Sequence, residues 1–346
     1  MHRFGSGPRP VWDVLRATRW NPPAPAAEGP DRRQTYVTAL EQAEQLFRAA
    51  STVDLSAQPL LAFYGLSQAG RAIAAAAAAF DSTQWQLNGH GIRSHGMDRP
   101  LAEVQVTTER AGDSGSFVRL SELLGSPLWG RSRVPLHELW DCLPGNANSP
   151  LGPDNSSRRM PLFVEHRDIY EARSTVSVPV VGFPAWVIQS SQGRKALSKY
   201  LAGIPGAQGY TDFRRVSSEP DADPQFAGHL DGSGELLMHW DLPDGKQVDP
   251  AEQLRFLTAR THPYVGTLYL FPAVTGTTSG MHPLMAWWAV LHSLSMLARY
   301  QPADWARHID VDGSRHAVPL EQLLNEAIGR VPLLVAETIE LVAQQV

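Results

Sequence analysis

Three places in the chain hold residue types at spacings that could do chemistry, and each suggests a different reaction. The first is Gly65-Leu66-Ser67-Gln68-Ala69-Gly70. A phosphate cradle needs a lysine and a hydroxyl directly after the second glycine, to reach the phosphates and hold Mg²⁺. Arg71 and Ala72 stand there instead, so that chemistry is missing. A nucleophile elbow would put Ser67 on a sharp turn between a strand over 60–64 and a helix over 70–80. His308 or His316 would supply the base and Asp304 or Asp310 the acid. Against the elbow, Ala69 replaces the usual glycine and no His-Gly-Gly oxyanion segment lies upstream. The favoured reading is one continuous buried helix over 59–80 whose small residues serve packing.

The second place is His90-Gly91-Ile92-Arg93-Ser94-His95-Gly96. Two histidines five apart do not share a helical face, and no cysteine or nearby acidic pair completes a metal site. The functional reading makes Arg93 a phosphate or nucleotide contact and His90 an acid or base. The plainer reading is a loop histidine bonded to backbone. The third place is the line Met285, His292 and Arg299, seven residues apart and so on one helical face, followed by Tyr300-Gln301-Pro302 and Trp305. A polar line across an apolar helix suits a cleft. Arginine at a helix C-terminus also complements the dipole. Arg-x₄₋₆-His pairs, a mark of many helical ribonucleases, occur at Arg131/His137, Arg159/His166 and Arg255/His262. Chance alone yields about three in a chain of this composition, so the pattern is uninformative.

Elements must position these residues. Tyr36, Leu40, Ala43, Phe47 and Ala50 recur at three- and four-residue steps and predict a helix over 33–50. From Pro59 a broad apolar surface runs into six consecutive alanines, 74–79. The opening segment 11–16 predicts a turn or two of helix, and the proline-rich 21–30 a loop or extended arm. The stretch 87–100 reads as a loop. A hairpin is expected next, with an outgoing strand near 102–106, a turn at 112–115 and a return at 117–120. Strand-like runs follow at 162–165, 176–189, 235–240 and 265–271, separated by loops at 142–157 and 217–225. Helix returns at 283–300, 320–328 and 333–344, with Gly329 and Pro332 as punctuation.

The pattern of helices, mixed strands and helices predicts an α+β fold. The expectation is a single domain, 1–346, in which helical parts 1–100 and 280–346 pack together around a strand-rich middle, 101–279. Cys142 is the only cysteine. One thiol excludes an intrachain disulfide and any zinc site that needs several thiolates, so no metal and no cofactor are expected. The segment 1–12 shows no apolar signal core, and 283–298 is shorter than the ~20 residues of a membrane span, so a cytoplasmic protein without membrane contact is expected. The net charge of −5 does not support general nucleic-acid binding. Only three lysines stand among the 30 cationic residues, which codon bias explains better than phosphate recognition does.

The segment from Pro59 to Leu66, Arg71-Ala72 and His90-Gly91, together with the run from Leu294 to Pro302 and Trp305, resembles the N- and C-terminal signatures of YaaC-like bacterial proteins. The resemblance covers both ends and leaves the middle uncovered. It implies no reaction, and it implies that no serine is required at position 67. At the level of fold analogy the long apolar helix with its His-Gly loop is also similar to the helical hairpin of HEPN proteins, many of which act in phage defence. The first expectation is a binding or regulatory protein, with a protein partner or a second copy as possible company. The alternatives are a HEPN-like ribonuclease or other phosphate-directed enzyme, and a serine hydrolase using Ser67. The candidate catalytic residues are His90, Arg93, His292 and Arg299. The candidate ligand contacts are Tyr64, Arg71, His95 and Tyr300.

Overall fold

The computed structural model describes residues 11–152, 158–167, 169, 171–212, 224–242 and 245–344. Among them the helices are α1 (Val11–Trp20), α2 (Ala24–Ala27), α3 (Pro30–Ala50), α4 (Gln58–Ala76), α5 (Ser116–Leu123), α6 (Leu136–Asp141), α7 (Ala185–Ile188), α8 (Gly193–Leu201), α9 (Pro250–Thr258), α10 (Pro283–Tyr300), α11 (Pro302–His308) and α12 (Ala317–Gln344). The strands are β1 (Ile92–His95), β2 (Gln105–Thr108), β3 (Val134–Pro135), β4 (Leu162–Val164), β5 (Thr175–Phe183), β6 (Tyr210–Asp212), β7 (Ala227–Gly228), β8 (Gly234–Asp241), β9 (His262–Tyr264) and β10 (Thr267–Leu270). This is an α+β fold with helices at both ends. No helix among the described residues is long and apolar enough to cross a membrane.

The chain forms two compact units. One joins 1–140 with 284–346, and the other is 141–283. The first is mainly helical. Its centre is α4, which packs against α3 and α12. Glycines set how closely α4 is approached. A Cβ added at Gly65 would lie 2.8 Å from the Phe47 ring, and one at Gly70 would lie 2.5 Å from the Trp288 ring. Helix α10 is buried from Leu284 through Ser295, Trp287 and Trp288 completely so. Burying each such ring stabilises by about 2–3 kcal/mol, which outweighs the unpartnered indole N–H groups that both carry.

Several sequence expectations need correcting. The alanine run does not stay helical to residue 80. Helix α4 stops at Ala76, and Ala77 is extended. The buried Arg32 guanidinium donates to the carbonyls of Ala75 (2.8 Å), Ala77 and Phe80, and so supplies the partners that the last carbonyls of a helix lack. The predicted loop 87–100 contains β1, and the predicted return strand 117–120 lies in α5. Strand β2 pairs antiparallel with β1 and β3 instead. The expected arm 21–30 contains α2. The two expected C-terminal helices are one, α12, which runs through Pro332. The backbone penalty of an internal proline, about 3 kcal/mol, is offset by the apolar face that α12 buries, including Leu320, Leu324, Val331 and Val335.

The second unit is an antiparallel sheet in the order β6-β8-β5-β4-β10-β9, with β7 also on β8. Its core holds Val176, Val178 and Val180 of β5, Leu236, Met238 and Trp240 of β8, and Leu197 and Tyr200 of α8. The run 176–189 is strand only to Phe183, where Gly182 takes a positive φ at a bulge, and α7 follows. Residues 153–157 and 217–223 of the two expected loops lie outside the described residues.

Candidate functional site

The site grows from one stripe of α4. Tyr64, Ser67 and Arg71 stand three and four residues apart, so they line up along the helix. All three are at least partly open, while Phe63, Leu66, Ala69 and Ala72 are buried. Ser67 is mid-helix with no strand before it, so the turn that an elbow requires is not formed there. Its hydroxyl has no hydrogen-bond partner among the described residues.

Helix α10 meets this stripe through its C-terminal half. Arg299 Nη1 donates to the Tyr64 hydroxyl at 2.9 Å, and its guanidinium carbon lies 5.1 Å from the Tyr300 ring centroid. Two turns back, His292 is buried, and its ring packs edge-on against Phe63 with centroids 5.2 Å apart. Ser94 of β1 reaches the same point. Its Oγ lies 3.2 Å from His292 Nδ1 and 3.1 Å from Ser293 Oγ. Ser293 already donates to the Ala289 carbonyl, so Ser94 must donate to Ser293. His292 Nδ1–H then donates to Ser94, and its Nε2 keeps a lone pair. Burial, and next the neighbouring His90, push the His292 pKa down to about 3, so the ring is neutral near pH 7.

His90 completes the cluster. Its ring centroid lies 5.5 Å from Phe63 and 6.2 Å from His292. The loop that carries it is pinned from behind by the first turn of α5. Ser116 Oγ donates to the Gly89 carbonyl at 2.7 Å and Phe117 N to the His90 carbonyl at 2.9 Å. Gly91 has φ +71, and a Cβ there would press to 2.9 Å on Gly115 Cα, so glycine is required beside His90. Desolvation first, then the charges of Arg71 and Arg299, hold the His90 imidazole below its ordinary pKa. Neither arginine makes an ion pair with a carboxylate among the described residues.

Five of the residues nominated from sequence therefore meet here: Tyr64, Arg71, His90, His292 and Arg299. Tyr300 adjoins them through Arg299. Arg93 and His95 do not join. Strand side chains alternate, so Arg93 and His95 occupy the face of β1 opposite Ser94. There His95 Nε2 bonds Thr107 Oγ1 at 2.8 Å, and desolvation, then Arg133 and Arg93, lower its pKa. Ser94 and Phe63 escaped the sequence reading. Ser94 lies inside the polar motif, but only the alternation of a strand selects it over Arg93, and that stretch reads as loop. Among the described residues no three His, Cys, Asp or Glu side chains gather as metal ligands.

A family model described as YaaC-like Protein matches residues 15–339. No curated protein matches the chain, and no solved structure does.

Proposed function

The chain belongs to the YaaC-like family, and we propose that it is a binding protein for a phosphate-bearing ligand held where α4 meets the C-terminal half of α10. One observation carries the reading. Arg71 and Arg299, which come from opposite ends of the chain, both act on His90, and neither has an acidic partner among the described residues. Two guanidiniums that both act on one partly desolvated imidazole leave positive charge there with no carboxylate to offset it. An anion bound at this place offsets that charge, and guanidiniums match phosphate oxygens in planar, bidentate geometry. Tyr64 orients Arg299, and the free hydroxyl of Ser67 offers a further donor on the same stripe.

Calorimetric titration with inorganic phosphate and pyrophosphate tests this. Binding should weaken about tenfold in Arg299→Gln and in Arg71→Gln, or ~1.4 kcal/mol each, as expected for loss of a charged hydrogen bond. Absence of binding at millimolar ligand, or wild-type affinity in either variant, overturns the reading.

A second reading, phosphodiester cleavage, is favoured by His90 being held neutral and so able to accept a proton. It requires a labelled RNA to be cut by the wild-type chain and left intact by His90→Ala. Cleavage that survives His90→Ala sinks it.

A further inference from the structure

The phosphate site has an aromatic neighbour that phosphate alone does not need. Tyr300 is 56 % exposed, and with Trp20 it is one of two aromatic side chains that the described residues leave open to this degree. It sits at the end of the most completely buried helix in its unit. Its ring lies beside the Arg299 guanidinium, which also donates to the Tyr64 hydroxyl. Tyr64 is itself partly open. An exposed ring next to a positioned arginine is how proteins hold a flat, polarisable heterocycle, because every nucleobase presents a π-face to an aromatic ring while the cation takes the phosphate. From this juxtaposition we infer that the ligand is a mononucleotide, with its phosphate on Arg299 and its base stacked on Tyr300. The net charge of −5 favours a single nucleotide over a long polyanion, which the rest of the surface would repel. The inference rests on the phosphate reading of the same site and names the half of the ligand that phosphate chemistry leaves open.

The test compares ribose 5-phosphate with adenosine 5′-monophosphate by calorimetry, on the wild-type chain and on Tyr300→Ala, Tyr300→Phe and Tyr300→Trp. Tyr300 is at the surface, and thermal melts confirm that each variant is folded. The nucleotide should bind about tenfold more tightly than the sugar phosphate, the lower range of what stacking supplies. Tyr300→Ala should erase that preference, weakening the nucleotide about tenfold more than ribose 5-phosphate. Tyr300→Phe should keep the preference and Tyr300→Trp should increase it. Equal binding of the two ligands to the wild-type chain, with both weakened by Arg299→Gln, overturns the nucleotide and leaves the phosphate reading standing. A preference for the nucleotide that persists in Tyr300→Ala also overturns the inference. Failure of both ligands to bind overturns the two together.

Discussion

In each of the two units a buried histidine touches a second histidine ring, and the two places differ in the charge around them. In the sheet unit, His262 and His282 stand 5.0 Å apart in a T-shaped arrangement, with Phe271 packed on His262. His262 donates to the Gly280 carbonyl. Burial pushes its pKa down to about 4, and burial also takes His282 well below its ordinary value. Among the described residues no arginine bears on the His262 ring. In the helical unit, His292 is equally neutral and buried, but its partner His90 is exposed and feels the charges of two arginines. Two neighbouring histidines are therefore ordinary core material. Uncompensated positive charge at an accessible ring is what distinguishes a place where an anion would be stabilised.

The largest effect should show what the pairs share. Unfolded histidine takes up a proton near pH 6.5, which folded His292 and His262 refuse until about pH 3 and 4. The unfolded chain thus binds more protons within that window. Stability is complete above pH 6.5 and falls as pH drops through it, by about 3 kcal/mol for each of these groups by pH 4. Urea unfolding at pH 7, 5.5 and 4.5 reads this, and a flat profile would show that the rings are not sealed. Next in size is Gly70→Ala, which drives a methyl into Trp288 and should cost about 2 kcal/mol, with a lower Tm, while a glycine with open space such as Gly329 accepts alanine without loss. The smallest effect separates the pairs. In Arg299→Gln or Arg71→Gln the His90 pKa should rise toward its ordinary value in an NMR titration, and that of His262 should stay where it is. Equal responses would mean that the arginines do not act at His90.

How far the site could be read in the sequence depended on whether a residue's direction follows from local pattern. Met285, His292 and Arg299 share a face simply because they are seven apart on a helix whose apolar run is unmistakable. Local sequence groups Arg93 with His90 because both are polar and close in the chain. The two-residue repeat of β1 sends it the other way, and β1 exists only because β2 is there to pair with it. Pro332 reads as a helix end because its missing N–H is a local fact, whereas the buried apolar face that carries α12 through it is not. The cap of α9, where Asp249 accepts from Glu252 N just before Pro250, is by contrast a signal that the sequence does contain.

What the amino-acid sequence determined alone is the pair of apolar helices, the polar residues that interrupt them, and the α+β class, because periodicity and composition act over a few turns of chain. Ser67 belonged to a helix on the same grounds. Tertiary structure alone decided that Arg71, His90 and Arg299 answer to one another. Their proximity comes from Gly70 admitting Trp288, from α5 holding the His90 loop, and from Ser94 meeting His292. Each of these joins residues far apart in the chain through packing that no local pattern encodes.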